Sequence, residues 1–330
     1  MGAASGMNGW WLFMAALGFC SGILSSMVMA EEAPAVQLIY HKGSLLSSDI
    51  DVHVVWYGKF SPTQRSIIVD FLESLGENEE EALLRNQPSV QEWWKTTGLY
   101  GEDASFNMSS AVSSKKKKKT VLGSQTLDES YSLGKWLQRT HIEALVLRAS
   151  VASNALLPEK GVFLVLTAQD VVVERFCMSS CGFHSSARSG KGRNSVSLPY
   201  AWVGNSVTQC PGQCAWPFHQ PLYGPQIPPL VAPNGDVGVD GMIINIATVL
   251  VGTVTNPFNT GFFQGDAAAP LEGVSACGGM YGRGAYPGYA GQLLGDETTG
   301  ASFNARGLNG RMFLLPAMWD PLTKSCKTLV

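Results

Sequence analysis

The sequence predicts an α+β fold: a mixed sheet with packed helices and a loop-rich C-terminal half stapled by disulfides. Three observations predict it. Apolar strand patterns fall at residues 50–56 and 161–166, an amphipathic helix pattern lies between them, and every cysteine except Cys20 lies beyond residue 176. With 36 glycines and 15% charged residues, the chain reads as compact and turn-rich rather than disordered.

At the N-terminus, residues 10–17 and 23–29 are mostly apolar, and Val28 and Ala30 satisfy the small-x-small rule of signal peptidase. The sequence therefore predicts a secretory signal over residues 1–30 and a mature chain beginning at Glu31. Gly18, Ser21, Gly22, Ser25 and Ser26 dilute the stretch too far for a permanent anchor, so no membrane segment is expected after cleavage. Loss of Cys20 leaves Cys177, Cys181, Cys210, Cys214, Cys277 and Cys326. An even set suits disulfides in an oxidising compartment, with the pairing left open.

In residues 50–56, Val52, Val54 and Trp56 share one strand face, with Asp51, His53 and Val55 on the other. A helix follows: Ser61 as N-cap, Pro62 at the first helical position, Gln64 closing a capping box, and Gly76 as the stop. Ile67, Ile68, Phe71, Leu72 and Leu75 form its apolar stripe. A second helix is predicted over residues 90–97, carrying Trp93 and Trp94 either into the core or onto a carbohydrate-stacking platform. A third is predicted over residues 130–140. The continuous apolar run 162–166 suits a strand inside a sheet, and residues 171–176 and 200–203 are further strand candidates, separated by a polar loop over 185–195. Residues 240–253 read as a buried helix, and the Gly- and aromatic-rich stretch beyond 255 as short pieces such as 311–315. The whole, residues 31–330, is expected to form a single domain of two lobes.

Residues 101–120 break this domain with an exposed polar loop. Asn107 begins an N-glycosylation sequon there, and Lys115, Lys116, Lys117, Lys118 and Lys119 repel one another too strongly to pack. This polybasic run reads as solvated loop or as an electrostatic contact for acidic wall polysaccharide. A net charge of −3 argues against a general nucleic-acid binder. The cysteine pairs at four-residue spacing, with His184 and His219 nearby, read as disulfides rather than a zinc cluster, and each histidine as a backbone hydrogen-bonder. Residues 204–208 miss the nucleophile elbow, residues 189–192 miss the phosphate loop, and Pro287 stands where a dinucleotide fingerprint needs glycine. No catalytic residue, metal or cofactor is predicted.

Several stretches together carry a resemblance: Val54-Val55-Trp56-Tyr57-Gly58-Lys59-Phe60, Trp93-Trp94-Lys95-Thr96-Thr97, and Gln209-Cys210-Pro211-Gly212-Gln213-Cys214-Ala215-Trp216-Pro217-Phe218-His219. Val231-Ala232-Pro233-Asn234-Gly235-Asp236, Leu308-Asn309-Gly310-Arg311 and Met318-Trp319-Asp320-Pro321 extend it. From about residue 40 to the end, the chain resembles the EXORDIUM or phosphate-induced protein family of plants. That resemblance implies a protein of the apoplast and cell wall, linked to growth, brassinosteroid response and phosphate or carbon status. It brings no known reaction, and the five lysines look like a local elaboration.

One segment also resembles, loosely, the active-site helix of zincin metalloproteases. Aligned on Thr255-Asn256-Pro257, it puts Thr248 at the first histidine, Val249 at the general base and Gly252 at the second ligand, with Glu272 as a surviving downstream acid. Two readings stand: a plain apolar core helix, or a zincin-like fold turned pseudoenzyme, since Thr, Val and Gly neither ligate zinc nor activate water. For function, the sequence favours a non-catalytic protein that binds a wall polysaccharide or a cell-surface protein. The alternative is a secreted hydrolase, a glycosidase or a degenerate metallopeptidase.

Overall fold

Strand β1 (Ile50–Tyr57) begins the main sheet, and helix α1 (Pro62–Leu75) follows it directly. The Ser61 hydroxyl accepts from the Gln64 N–H at 3.1 Å, and the Gln64 side-chain oxygen accepts from the Ser61 N–H at 3.0 Å, so the expected capping box is closed. Next come α2 (Val90–Lys95), β2 (Thr120–Asp128), α3 (Arg139–Ala152), β3 (Gly161–Thr167), β4 (Gly182–Ser189) and β5 (Val196–Gly204). The short α4 (Pro211–Cys214) and the long α5 (Val237–Thr255) complete the major elements. The computed structural model describes residues 36–77, 88–101, 119–153, 161–178, 180–190 and 195–330. The predicted signal at 1–30, Asn107 and Lys115–Lys118 lie outside the described residues.

The five strands run in the order β2-β1-β3-β5-β4, parallel except for β4, which pairs antiparallel with β5. Val52, Val54, Trp56, Leu164 and Val203 pack on one face with α1 and α5, and Val55, Phe163, Val165 and Trp202 pack on the other with α3. Both faces are covered. This explains why every residue of β3, the central strand, is buried, and why residues 162–166 are apolar without alternation. His53, on the α3 side, stacks on Phe163 at 5.1 Å, and burial lowers its pKa.

Three expectations need correction. Residues 130–138 are turns and a two-residue strand (Trp136–Leu137), not helix. Tyr131 and Gly134 adopt positive φ, and the Asp128 carboxylate accepts from the Ser132 N–H at 3.1 Å, so the chain turns there and α3 starts only at Arg139. The loop predicted at 185–195 is half strand: β4 runs to Ser189 and turns at Gly190. As an edge strand it needs backbone pairing on one side only, and its serines tolerate the wet side. Residues 171–176 shrink to the two-residue strand Val172–Val173.

The Trp93 and Trp94 side chains are 3% exposed, with Nε1 donating to the Pro316 carbonyl at 2.7 Å and to Thr120 Oγ1 at 2.8 Å respectively. They are core residues, and the stacking-platform reading fails. Beyond α5 the chain forms short antiparallel pairs, among them Ala305–Arg306 with Met312–Phe313 and Met318–Asp320 with Ser325–Lys327. Where ladders are this short, side chains take over: Asn304 Nδ2 donates to the carbonyls of Tyr281 and Leu315, and its Oδ1 accepts from the Leu315 N–H.

All six cysteines beyond residue 176 are paired, as Cys177–Cys210, Cys181–Cys214 and Cys277–Cys326. The first two links run side by side and fasten the approach to β4 onto α4. Peptide mapping without reduction is expected to recover these three linked pairs, and a Cys177–Cys214 link would contradict the arrangement.

A polar seam joins the start of α5 to α1. Arg311 Nε donates to Asp70 Oδ2 at 2.9 Å, Asn309 Nδ2 donates to Asp70 Oδ1 at 2.7 Å, and Arg311 Nη1 reaches Asn234 Oδ1 at 3.5 Å. Asn234 in turn donates its backbone N–H and its Nδ2 to Asp240, one turn into α5. Burial pushes the Asp240 carboxyl up to about 7, against the pull of the Asn234 hydrogen bonds and with a smaller push from Asp236. The sign follows from linkage. From the ordinary value of 3.8 up to about 7, the folded chain holds a proton that the unfolded chain releases, so this contribution is complete below pH 4 and lost as pH rises through 7. Its ceiling is on the order of 4 kcal/mol. Melting temperatures measured from pH 4 to 8 are expected to fall with rising pH and to flatten in Asp240→Asn; an equal slope in both proteins would remove Asp240 as its source.

Candidate functional site

Helix α5 is capped by Asp236, whose carboxylate accepts from the Val239 N–H at 3.0 Å, and it buries sixteen of its nineteen residues. It is long and apolar enough to cross a membrane by length and composition, yet it is packed inside the protein. The positions aligned with a zincin helix fall as follows. The Thr248 hydroxyl donates to the Ile244 carbonyl at 2.8 Å, Val249 is buried, and Gly252 lies against β4 and the segment following 264.

Gly252 marks the point of closest approach. A Cβ there would stand 2.6 Å from Glu272 Oε2 and 2.9 Å from His184 Cδ2. Glycine in a helix interior lowers stability relative to alanine by ~0.5–1 kcal/mol, and here it makes room for two side chains that meet over the backbone. His184 Nε2 lies 2.9 Å from each Glu272 carboxylate oxygen, and the two side chains are 9% and 13% exposed. Asn256, at the C-cap of α5, donates Nδ2 to Glu272 Oε1 at 2.7 Å and accepts from the Gly261 N–H at 2.8 Å. The Ser275 hydroxyl accepts from the Glu272 N–H at 2.8 Å.

Glu272, singled out as a solitary acid, thus has His184 as its partner. The reading of His184 as a backbone hydrogen-bonder is corrected: its Nε2–H donates to a carboxylate. His219 keeps the expected role, with Nδ1 donating to the Gln220 carbonyl at 2.9 Å. Sequence reasoning missed the pairing because the two residues stand 88 positions apart. The signal available was Gly252 itself, one of three glycines within α5.

Chemically the cluster is a clamp. The carboxylate fixes the imidazole tautomer and faces two donors, and among the described residues the buried His184 Nδ1 has no hydrogen-bond partner. Among the described residues no three His, Cys, Asp or Glu side chains come together as metal ligands. Two surface hollows, of ≈ 460 and ≈ 520 Å³, are lined by other residues, so the pair stands on the wall of neither. Of the lysine run only Lys119 is described, and its backbone N–H donates to Asp49 Oδ1 at 2.9 Å.

Fold and cluster together define a disulfide-stapled α+β protein in which an imidazole and a carboxylate beside its central helix are bonded to each other. The pattern of the family described as Phosphate-induced protein 1 conserved region matches residues 38–329, and the chain belongs to that family. It is 55% identical over 319 residues to Protein EXORDIUM-like 2 of Arabidopsis thaliana, covering 97% of this chain and 96% of the relative. It is 53% identical over 302 residues to Protein EXORDIUM of the same plant, covering 91% and 92%. With Protein PHOSPHATE-INDUCED 1 of Nicotiana tabacum it shares 51% over 313 residues, covering 94% of each. No solved structure matches.

Gly252→Ala is expected to lower stability by about 1–3 kcal/mol in urea unfolding, because the added methyl overlaps both partners of the clamp. Unchanged stability would mean that the clamp yields freely.

Proposed function

We propose that the chain is a secreted plant protein of the apoplast and cell wall that takes part in growth control without catalysis, by binding a wall polymer or a cell-surface protein. The names of its relatives, EXORDIUM and PHOSPHATE-INDUCED 1, fit the link to growth and phosphate status, and brassinosteroid response belongs to the same reading. Three disulfides suit an oxidising exterior.

The observation that carries the non-catalytic part is the clamp at Gly252. At the helical position where a zinc hydrolase needs its second ligand there is no side chain, and the nearby imidazole and carboxylate are bonded to each other. A mixed sheet beside such a helix supports the pseudoenzyme version of this reading. The lysines at 115–119 add a candidate contact for acidic polysaccharide.

Incubating the purified protein with wall polymers tests the proposal. Saturable co-sedimentation with intact polymer is the expected outcome, with any lysine contribution weakening as salt rises. Release of shortened polysaccharide or peptide products, removed by a chelator or by Glu272→Gln, would overturn it in favour of a hydrolase.

A further inference from the structure

Two loops away from the clamp share one small core. Phe218, Tyr281, Ala290 and Leu314 are buried in it, with Trp216 and Leu230 packed alongside. The segment between residues 218 and 230 is therefore anchored at both ends, as is the segment between 281 and 290. Each is also closed on itself. The Leu230 N–H donates to the Pro217 carbonyl at 3.0 Å, the Leu222 N–H to the Gly212 carbonyl at 3.1 Å, and Gln226 Nε2 to the carbonyls of Pro221 and Gly224. Across the other loop, Tyr286 and Tyr289 exchange backbone hydrogen bonds of 3.1 and 2.8 Å, with their rings 5.1 Å apart. The two loops touch where Gly288, at φ 90°, leaves no room for a side chain: a Cβ there would stand 2.7 Å from Pro225 Cγ.

On this braced base the apolar side chains point outward. Tyr223 is 84% exposed, Tyr286 64% and Leu222 63%. Residues 220–230 contain no Asp, Glu, Lys or Arg, and residues 281–293 contain one, the exposed Arg283 at the foot of the loop; the other polar side chains are tyrosine hydroxyls and the amides of Gln220, Gln226 and Gln292. Loops held this firmly have already lost the conformational freedom that binding would otherwise take from them. Exposed rings carried on braced loops with a single charge, Arg283, present apolar faces flanked mainly by neutral hydrogen-bonding groups.

The geometry points to this double loop as a binding surface for a neutral polysaccharide, whose sugar rings lie on Tyr223 and Tyr286 and whose hydroxyls meet the amides. The inference rests on the wall-polymer reading above and narrows it. An acidic polymer or a phosphate group meets a single cation, Arg283, within these two segments, where tight binding of a polyanion calls for a cluster. A protein partner is usually oriented by several charges at the rim of an interface, and these segments supply one.

The test is affinity electrophoresis of the full-length secreted chain in gels containing hydroxyethyl cellulose, a neutral glucan, or polygalacturonate, an acidic one. Retardation by the neutral glucan is expected to persist at high salt. It should weaken roughly tenfold or more in the Tyr223→Ala/Tyr286→Ala double variant, as befits two lost stacking contacts, and survive in the Tyr→Phe pair, which keeps the rings. An unchanged melting temperature of the Ala variant shows that folding is intact. Equal retardation of the Ala variant and the parent protein would overturn the inference. Retardation by polygalacturonate alone, abolished by salt, would overturn it while leaving wall-polymer binding in place. Absence of retardation in every gel would remove both, and capture of a cell-surface protein that depends on Tyr223 would assign the loops to a protein instead.

Discussion

The structure depends on one constraint: a sheet with four parallel strands, covered on both faces, needs a helix apolar enough to bury nearly all of its own surface. Helix α5 meets it. Its residues Val239, Met242, Ile243, Ile246 and Leu250 share a core with α1 and the sheet, while Ile244 enters the separate small core beneath the loops at 218–230 and 281–290. Burial on this scale favours association strongly, but it leaves the few polar groups of the helix to be satisfied individually. The Asp240 contacts at one end and the Asn256–Glu272–His184 cluster at the other serve that need. They fix the ends of a helix whose middle is held by packing and by one polar tie, Asn245 Nδ2 donating to the Cys214 carbonyl at 2.8 Å.

What the sequence revealed and what it concealed divide along the same line. The capping box at Ser61, the buried run of β3 and the apolar span of α5 are local patterns, and local patterns survive without a fold to read them in. The serine-rich β4 hid because an edge strand need not alternate, and α3 was misplaced because the turns at Tyr131 and Gly134 delay its start. The disulfide pairing and the His184–Glu272 contact arise from tertiary arrangement, for which no spacing rule exists. Gly252 was visible as one of three glycines in α5, and its meaning came only with the two side chains above it.

The stretches that carry the family resemblance have different physical roles in this chain. Asn234 and Asp236 belong to the seam and cap at the start of α5, and Asn309 and Arg311 tie α1 to the C-terminal part. Cys210 and Cys214 flank a short helical turn that serves as an anchor for the sheet edge. These segments do structural work, so the partner contact proposed above is assigned to exposed loops rather than to them.

The paired links Cys177–Cys210 and Cys181–Cys214 each enclose the whole β4–β5 hairpin within a span of 33 residues. The hairpin is thus part of a covalent ring, closed twice. A protease that cuts once between Cys181 and Cys210 opens the backbone but releases nothing: the two fragments remain one molecule, heavier than the parent by a single water. The nicked protein would keep its sheet edge in place and separate into pieces only once a reductant reached it.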